Sequence, residues 1–239
     1  MPVLIKIGFW KRLLATGICL LAWVHFPLLG DDWSWTPIQF GLVPLSYLQF
    51  PPHYVDVYGI SAGGVLGQQR SAALSVALWN YADANFLVTL GLLGALNDNN
   101  YALNVGGVFA GNYQCNCGVN MGISASSFPN YGVNLGVGTI NDVNYGVNVG
   151  GFSRIRKVNY GLNLGLVPFC RCNKGLSVGV YNVVGASGLF DWKFGVDTRD
   201  SGGVQIGALN VGCGFQLGLL NYNPCGPVKL LPLVNFYCH

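Results

Sequence analysis

Charge is scarce in this chain. Asp, Glu, Lys and Arg make up 9% of 239 residues, well under half of the ~25% usual for soluble domains, and the net charge is +3. That leaves no dense basic surface for nucleic acid, and the one basic cluster, Arg154, Arg156 and Lys157, reads as a solvated turn. With so few ionic groups, the surface is expected to consist of Asn, Ser, Gly and backbone. Histidine is nearly missing as well. His25, His53 and His239 all lie outside the periodic region, so a nucleophile–His–acid arrangement has no natural home, and we expect no enzymatic activity, no cofactor and no metal. No G-x-x-x-x-G-K-[ST] run is present, which excludes a phosphate loop. Collagen is excluded by the lack of a three-residue glycine period, and disorder by 51% hydrophobic content.

What the chain has is glycine, 35 residues or about twice average usage, in an internal repeat. A cassette of apolar, polar, apolar and glycine recurs from Ile60 to Gly218. It is clearest in Gly118-Val119-Asn120-Met121-Gly122, Gly132-Val133-Asn134-Leu135-Gly136, Gly146-Val147-Asn148-Val149-Gly150, Gly161-Leu162-Asn163-Leu164-Gly165 and Gly203-Val204-Gln205-Ile206-Gly207. Weaker copies centre on Ser61, Ser75, Thr89, Asn104, Ser177, Lys193 and Gln216. Most centres are 14 or 15 residues apart.

Within Asn144-Tyr145-Gly146-Val147-Asn148-Val149-Gly150, apolar residues alternate with Asn and Gly, the period of a β-strand. A helix carrying two or three glycines per unit would lose up to ~1 kcal/mol at each. The chain is therefore read as all-β. Adjacent apolar pairs after the second glycine, such as Leu166-Val167 and Val180-Tyr181, would point to opposite faces of a continuous strand, so they mark corners. This favours a β-solenoid with one 14–15-residue unit per coil. An up-and-down transmembrane barrel of about 12 strands is the alternative, with the apolar face toward lipid. In the solenoid, Asn104, Asn120, Asn134, Asn148, Asn163, Ser177, Gln205 and Gln216 are assigned to an exposed polar ladder that serves as contact surface. Val119, Val133, Val147 and Leu162 are assigned to the interior.

Four segments follow. Residues 1–30 combine Lys6, Lys11 and Arg12 with an apolar run, and read as a helical signal peptide or signal anchor. Asp31-Asp32 reads as a solvated stretch after it. Residues 31–58, rich in Trp and Pro, read as an N-terminal cap, residues 59–223 as the repeat array and residues 224–239 as a C-terminal cap.

Two resemblances attach to these residues. Gln205-x-Gly207-x-x-Asn210 and Gln216-x-Gly218-x-x-Asn221 are similar to the strand-turn-strand units of curli amyloid subunits. The larger arrangement resembles bacterial surface-repeat proteins: a Thr36-Pro37-Ile38-Gln39 and Asp56-Val57-Tyr58-Gly59 entry, the repeated cassettes, and a Leu231-Pro232-Leu233-Val234-Asn235-Phe236 ending. That resemblance implies export and a cell-surface, outer-membrane or secreted location, and brings no catalytic activity. The chain departs from the pattern in its Ser, Thr and Lys centres and in its eight cysteines. The expected role is structural or adhesive, with a surface protein or glycan as ligand. Membrane contact through the N-terminal segment or a barrel, and self-association, are further expectations.

Among the cysteines, Cys115-Asn116-Cys117 and Cys170-Arg171-Cys172 suggest a four-thiolate metal site, but about four coils would part them by roughly 19 Å. Zinc needs every sulfur within ~2.3 Å. Cys213 and Cys225, 12 residues apart, are a candidate disulfide, with Cys225–Cys238 as rival. Tyr58, Tyr101, Tyr131, Tyr145 and Tyr160 recur just before the cassettes and suggest a stacked aromatic ladder.

Overall fold

The computed structural model describes residues 35–41, 49–50, 55–72, 74–185 and 201–236. The expected signal segment, Cys19, Asp31-Asp32, the three histidines, Lys193 and Cys238 lie outside them. Among the described residues there are sixteen strands and no helix, and all strands join one hydrogen-bonded sheet, fourteen of them along a single path.

The path is a β-solenoid of about eleven turns. Its central strands are β8 (Val119–Ser127), β9 (Val133–Asn144), β10 (Val147–Asn159) and β11 (Leu162–Asn173). Each lies parallel to the next with like over like: Val133 beside Val147 beside Leu162, and Asn134 beside Asn148 beside Asn163. A barrel of up-and-down strands would need antiparallel neighbours and no free edge. Here the turns from Asp56 to Tyr222 pair in parallel, only the terminal pairs are antiparallel, and the path ends at β2 (Gln49–Phe50) and β16 (Leu230–Asn235), so the barrel alternative is excluded.

The ends reuse the cassette. β1 (Trp35–Gly41) lies beside β3 (Asp56–Ser71), and Gly59 and Gly63 approach the backbone of Pro37 and Gly41. Ile38-Gln39-Phe40-Gly41, placed in the cap by its prolines and tryptophans, thus forms a rung with Gln39 fully buried. At the other end β16 runs antiparallel to β15 (Phe215–Tyr222), which sets Asn235 over Gln216 and Val234 over Leu217. The chain direction reverses, yet the polar column continues.

One expected rung is absent from the stack. Leu176, Ser177 and Val178 pair directly with Val204, Gln205 and Ile206, so no rung centred on Lys193 stands between them. The disulfide is borne out: Cys213 and Cys225 are bonded, with Cα atoms 5.6 Å apart.

The inside/outside assignment is overturned. Asn104, Asn120, Asn134, Asn148, Asn163, Ser177, Gln205 and Gln216, expected on the surface, are all buried. Val119, Val133, Val147 and Leu162, expected in the core, are partly exposed, and Val137, Leu166 and Leu219 are among the most exposed residues.

The reason is the size of the coil. Fourteen or fifteen residues enclose a narrow interior, and the Asn104, Asn120 and Asn134 side chains span it to donate to the carbonyls of Ala95, Ala110 and Ala125 on the opposite wall, at 3.0, 3.3 and 3.3 Å. An asparagine facing an alanine fills that width. Facing aliphatic pairs, which hold sheets about 10 Å apart, do not fit.

Candidate functional site

The interior must satisfy its own polar groups, because a buried amide without a partner costs roughly 1–3 kcal/mol. Two asparagine ladders do so for much of it, while the Asn97 and Asn112 side chains stay without a partner. At the corner before each cassette, Asn85, Asn100, Asn116, Asn130, Asn144, Asn159 and Asn173 form a continuous chain. Each Nδ2 donates to the next Oδ1 at 2.7–2.9 Å. The same Nδ2 groups donate to backbone carbonyls of the following turn, as Asn116 does to Val133 and Asn144 to Leu162, both at 3.1 Å. In the cassette column Asn104, Asn120, Asn134, Asn148 and Asn163 are linked likewise at 2.8–3.2 Å. Later turns add Asn182, Asn210 and Asn221, each step 2.7 Å.

Of the residues expected to form a contact surface, the five asparagines are therefore committed to one another, and Ser177, Gln205 and Gln216 bond to Asn182 and to backbone carbonyls of the interior. The corner ladder was missed, although the recurring Asn-Tyr-Gly triplets at 130, 144 and 159 carry its signal. In the return half of the same turns the interior is apolar, and Ile155, Cys170 and Val184 stack in register.

What faces outward is apolar and equally regular. The first column runs Ile60, Leu74, Val88, Leu103, Val119, Val133 and onward to Phe215 without a polar residue. The second, two residues later in each coil, contains Val76, Leu90, Val105, Met121, Leu135 and Val149 and ends at Leu217. Two residues further on, Leu92, Ile123, Val137, Leu166 and Leu219 form a ridge whose members are 57–72% exposed.

Two residues before the first column stand the aromatics. The rings of Tyr131, Tyr145 and Tyr160 stack at 4.9 and 5.0 Å, Phe86 stacks on Tyr101 at 5.0 Å, and the Lys174 ammonium lies 5.8 Å from the Tyr160 centroid. The expected tyrosine ladder is thus present for Tyr131, Tyr145 and Tyr160. Tyr101 stacks on a phenylalanine.

Charge is kept off the aliphatic columns, although Lys174 stands in the aromatic one. Asp83, Asp98, Asp142, Arg154, Arg156 and Lys157 all lie in the return half of the coil. Asp142 pairs there with Lys157 at 3.0 Å and with Arg156 at 3.8 Å, so the basic cluster is solvated and ion-paired, on β10 where a turn was expected.

The two C-x-C pairs are kept apart. Cys115 is on β7 (Phe109–Asn116) and Cys170 on β11, with β8, β9 and β10 between their turns. Among the described residues no group of three His, Cys, Asp or Glu side chains could hold a metal ion. The Cys115 and Cys117 sulfurs lie 2.8 Å apart. Burial, and then the hydrogen bond with Cys117, push the Cys115 thiol up to about 12. Burial pushes Cys170 up as well.

The arrangement offers an extended surface for contact: about eleven rungs long, roughly 48 Å, and on the order of 15 Å wide. Comparison with protein-family models, with curated proteins and with solved structures finds no match.

Proposed function

We propose that the chain is a non-enzymatic, exported repeat protein of the cell surface or envelope, and that it acts by contact through its apolar outer face. The observation that carries this reading is the sorting of side chains. Asparagines able to bind a polar ligand are locked into internal ladders, whereas the outward positions of the cassette are apolar and uncharged in every turn. At roughly 48 Å by 15 Å that face approaches 700 Å², above the 300–600 Å² of the largest apolar patch on a typical monomer. Such a surface calls for a partner.

The resemblance to surface-repeat proteins and the basic, apolar N-terminal segment favour export. The role is structural or adhesive, as an array whose turns contact only their neighbours and which presents one repeated surface. The test is fractionation of the tagged full chain, with a carbonate and urea wash of the membranes. The chain is expected in the envelope or at the cell surface. Recovery in the cytosol with the N-terminal segment intact would overturn the reading.

A further inference from the structure

We propose that the aliphatic face docks on the acyl region of a lipid bilayer, with the solenoid axis parallel to the membrane plane and the charged return half of each coil in water. The inference rests on the contact role proposed above and names the partner. Three observations carry it.

The first is composition by side. Val147 and Val149 in β10, and Tyr145 just before it, point outward; the columns of Val147 and Val149 carry no charged side chain among the described residues, and Lys174 stands at the end of the tyrosine stack. The return half holds the acidic and basic side chains, several of them ion-paired. A cylinder sorted in this way along its length is amphipathic about its long axis, which is the requirement for lying in an interface.

The second is the inverted interior. Strands next to lipid must satisfy their backbone within the protein. The parallel pairing of consecutive turns does this, and the corner asparagines from Asn85 to Asn173 bond to one another inside the coil. Apolar outside and polar inside is the side-chain order of a transmembrane β-protein, here built on a solenoid.

The third decides between lipid and a second copy. A protein partner is set in register by charges, hydrogen bonds or shape, and the aliphatic columns carry no charge to set one, Lys174 standing at the margin over Tyr160. Its ridge also projects: Leu92 and Leu219 are 72% and 71% exposed at the face's margin, where a flat copy laid against the columns would leave them uncovered. Fluid acyl chains cover a ridge and a plateau alike. The Tyr131–Tyr145–Tyr160 stack borders the opposite margin, where an amphipathic ring suits the level between acyl chains and water.

The test places a photo-cross-linking side chain at Leu135 or Val149 on the face, and at Gln114 on the charged side, in the full chain with phosphatidylcholine vesicles. We expect acyl-chain adducts from positions 135 and 149, none from 114, and yields unchanged at high salt, since no charge takes part. With the probe at 135, Val149→Lys should lower the adduct about tenfold while leaving the β circular dichroism intact. Covalent dimers from the face positions would assign the face to a second copy and overturn the proposal. Equal adducts from 114, or none from 135 and 149, would overturn it too. Envelope recovery without acyl adducts removes lipid docking alone, whereas cytosolic recovery removes the envelope reading.

Discussion

Asn130 shows what one residue contributes. It accepts from Asn116 at 2.7 Å and donates to Asn144 at 2.8 Å and to the Val147 carbonyl at 3.2 Å, all within the interior. Asn130→Ala orphans groups on both neighbouring rungs and should cost roughly 2–4 kcal/mol, read as a lower urea midpoint. Asn112 is as buried, but its amide has no hydrogen-bond partner, so Asn112→Ala should stay within about 1 kcal/mol. The same logic orders two aspartates. Asn148→Asp removes the donor to Asn163 and buries a charge, whereas Val147→Asp adds a charge at a half-buried outward position. Asn148→Asp should therefore have the lower thermal midpoint, and the opposite order would sink the inverted core. For Cys115, raised from an ordinary 9.0 to about 12, the fold favours the protonated thiol; that stabilisation is complete below pH 9 and is lost as pH rises toward 12. At pH 8 iodoacetamide should alkylate Cys115 more slowly in the folded chain than in urea.

At the scale of the element, the corner glycines set how closely turns stack. A Cβ at Gly146 would lie 2.0 Å from the Gly132 carbonyl oxygen, and one at Gly161 would lie 2.1 Å from that of Gly146. Backbone blocks the side chain, so Gly146→Ala must push two turns apart and should lower the thermal midpoint markedly. Gly138, where an added Cβ would meet nothing within 4 Å, is the control: Gly138→Ala should be neutral or stabilise by up to about 1 kcal/mol through the unfolded chain. The Cys213–Cys225 disulfide ties the last turns to the C-terminal segment. Its reduction should cost about 2–3 kcal/mol. Because each turn contacts only its neighbours, the loss should show as early hydrogen exchange in β15 and β16 while the Asn116–Asn159 turns keep their protection.

At the scale of the whole molecule, the sequence by itself determined much of the architecture. The 14–15-residue period, the strand-length alternation and the adjacent apolar pairs at corners favoured a β-solenoid and left a barrel as the alternative, which the parallel pairing of turns then removed. The tyrosine stack and the Cys213–Cys225 pair were legible as candidates, because each depends on distance along a chain that stacks like on like, and the structure chose the disulfide over its rivals. The solenoid's sidedness was not legible. Alternation shows that Val147 and Asn148 face opposite ways, and the rule that apolar residues lie inside then assigned the faces. Only the closed coil decided which face was interior. Its narrow bore admits asparagine opposite alanine, rung-to-rung amide ladders remove the usual penalty of burying them, and the aliphatic columns are left outside. The direct pairing of Leu176-Ser177-Val178 with Val204-Gln205-Ile206 and the extra rung at Ile38-Gln39-Phe40-Gly41 have a similar origin. A single cassette is too short to identify itself, and pairing with neighbouring turns determines which copies join the stack.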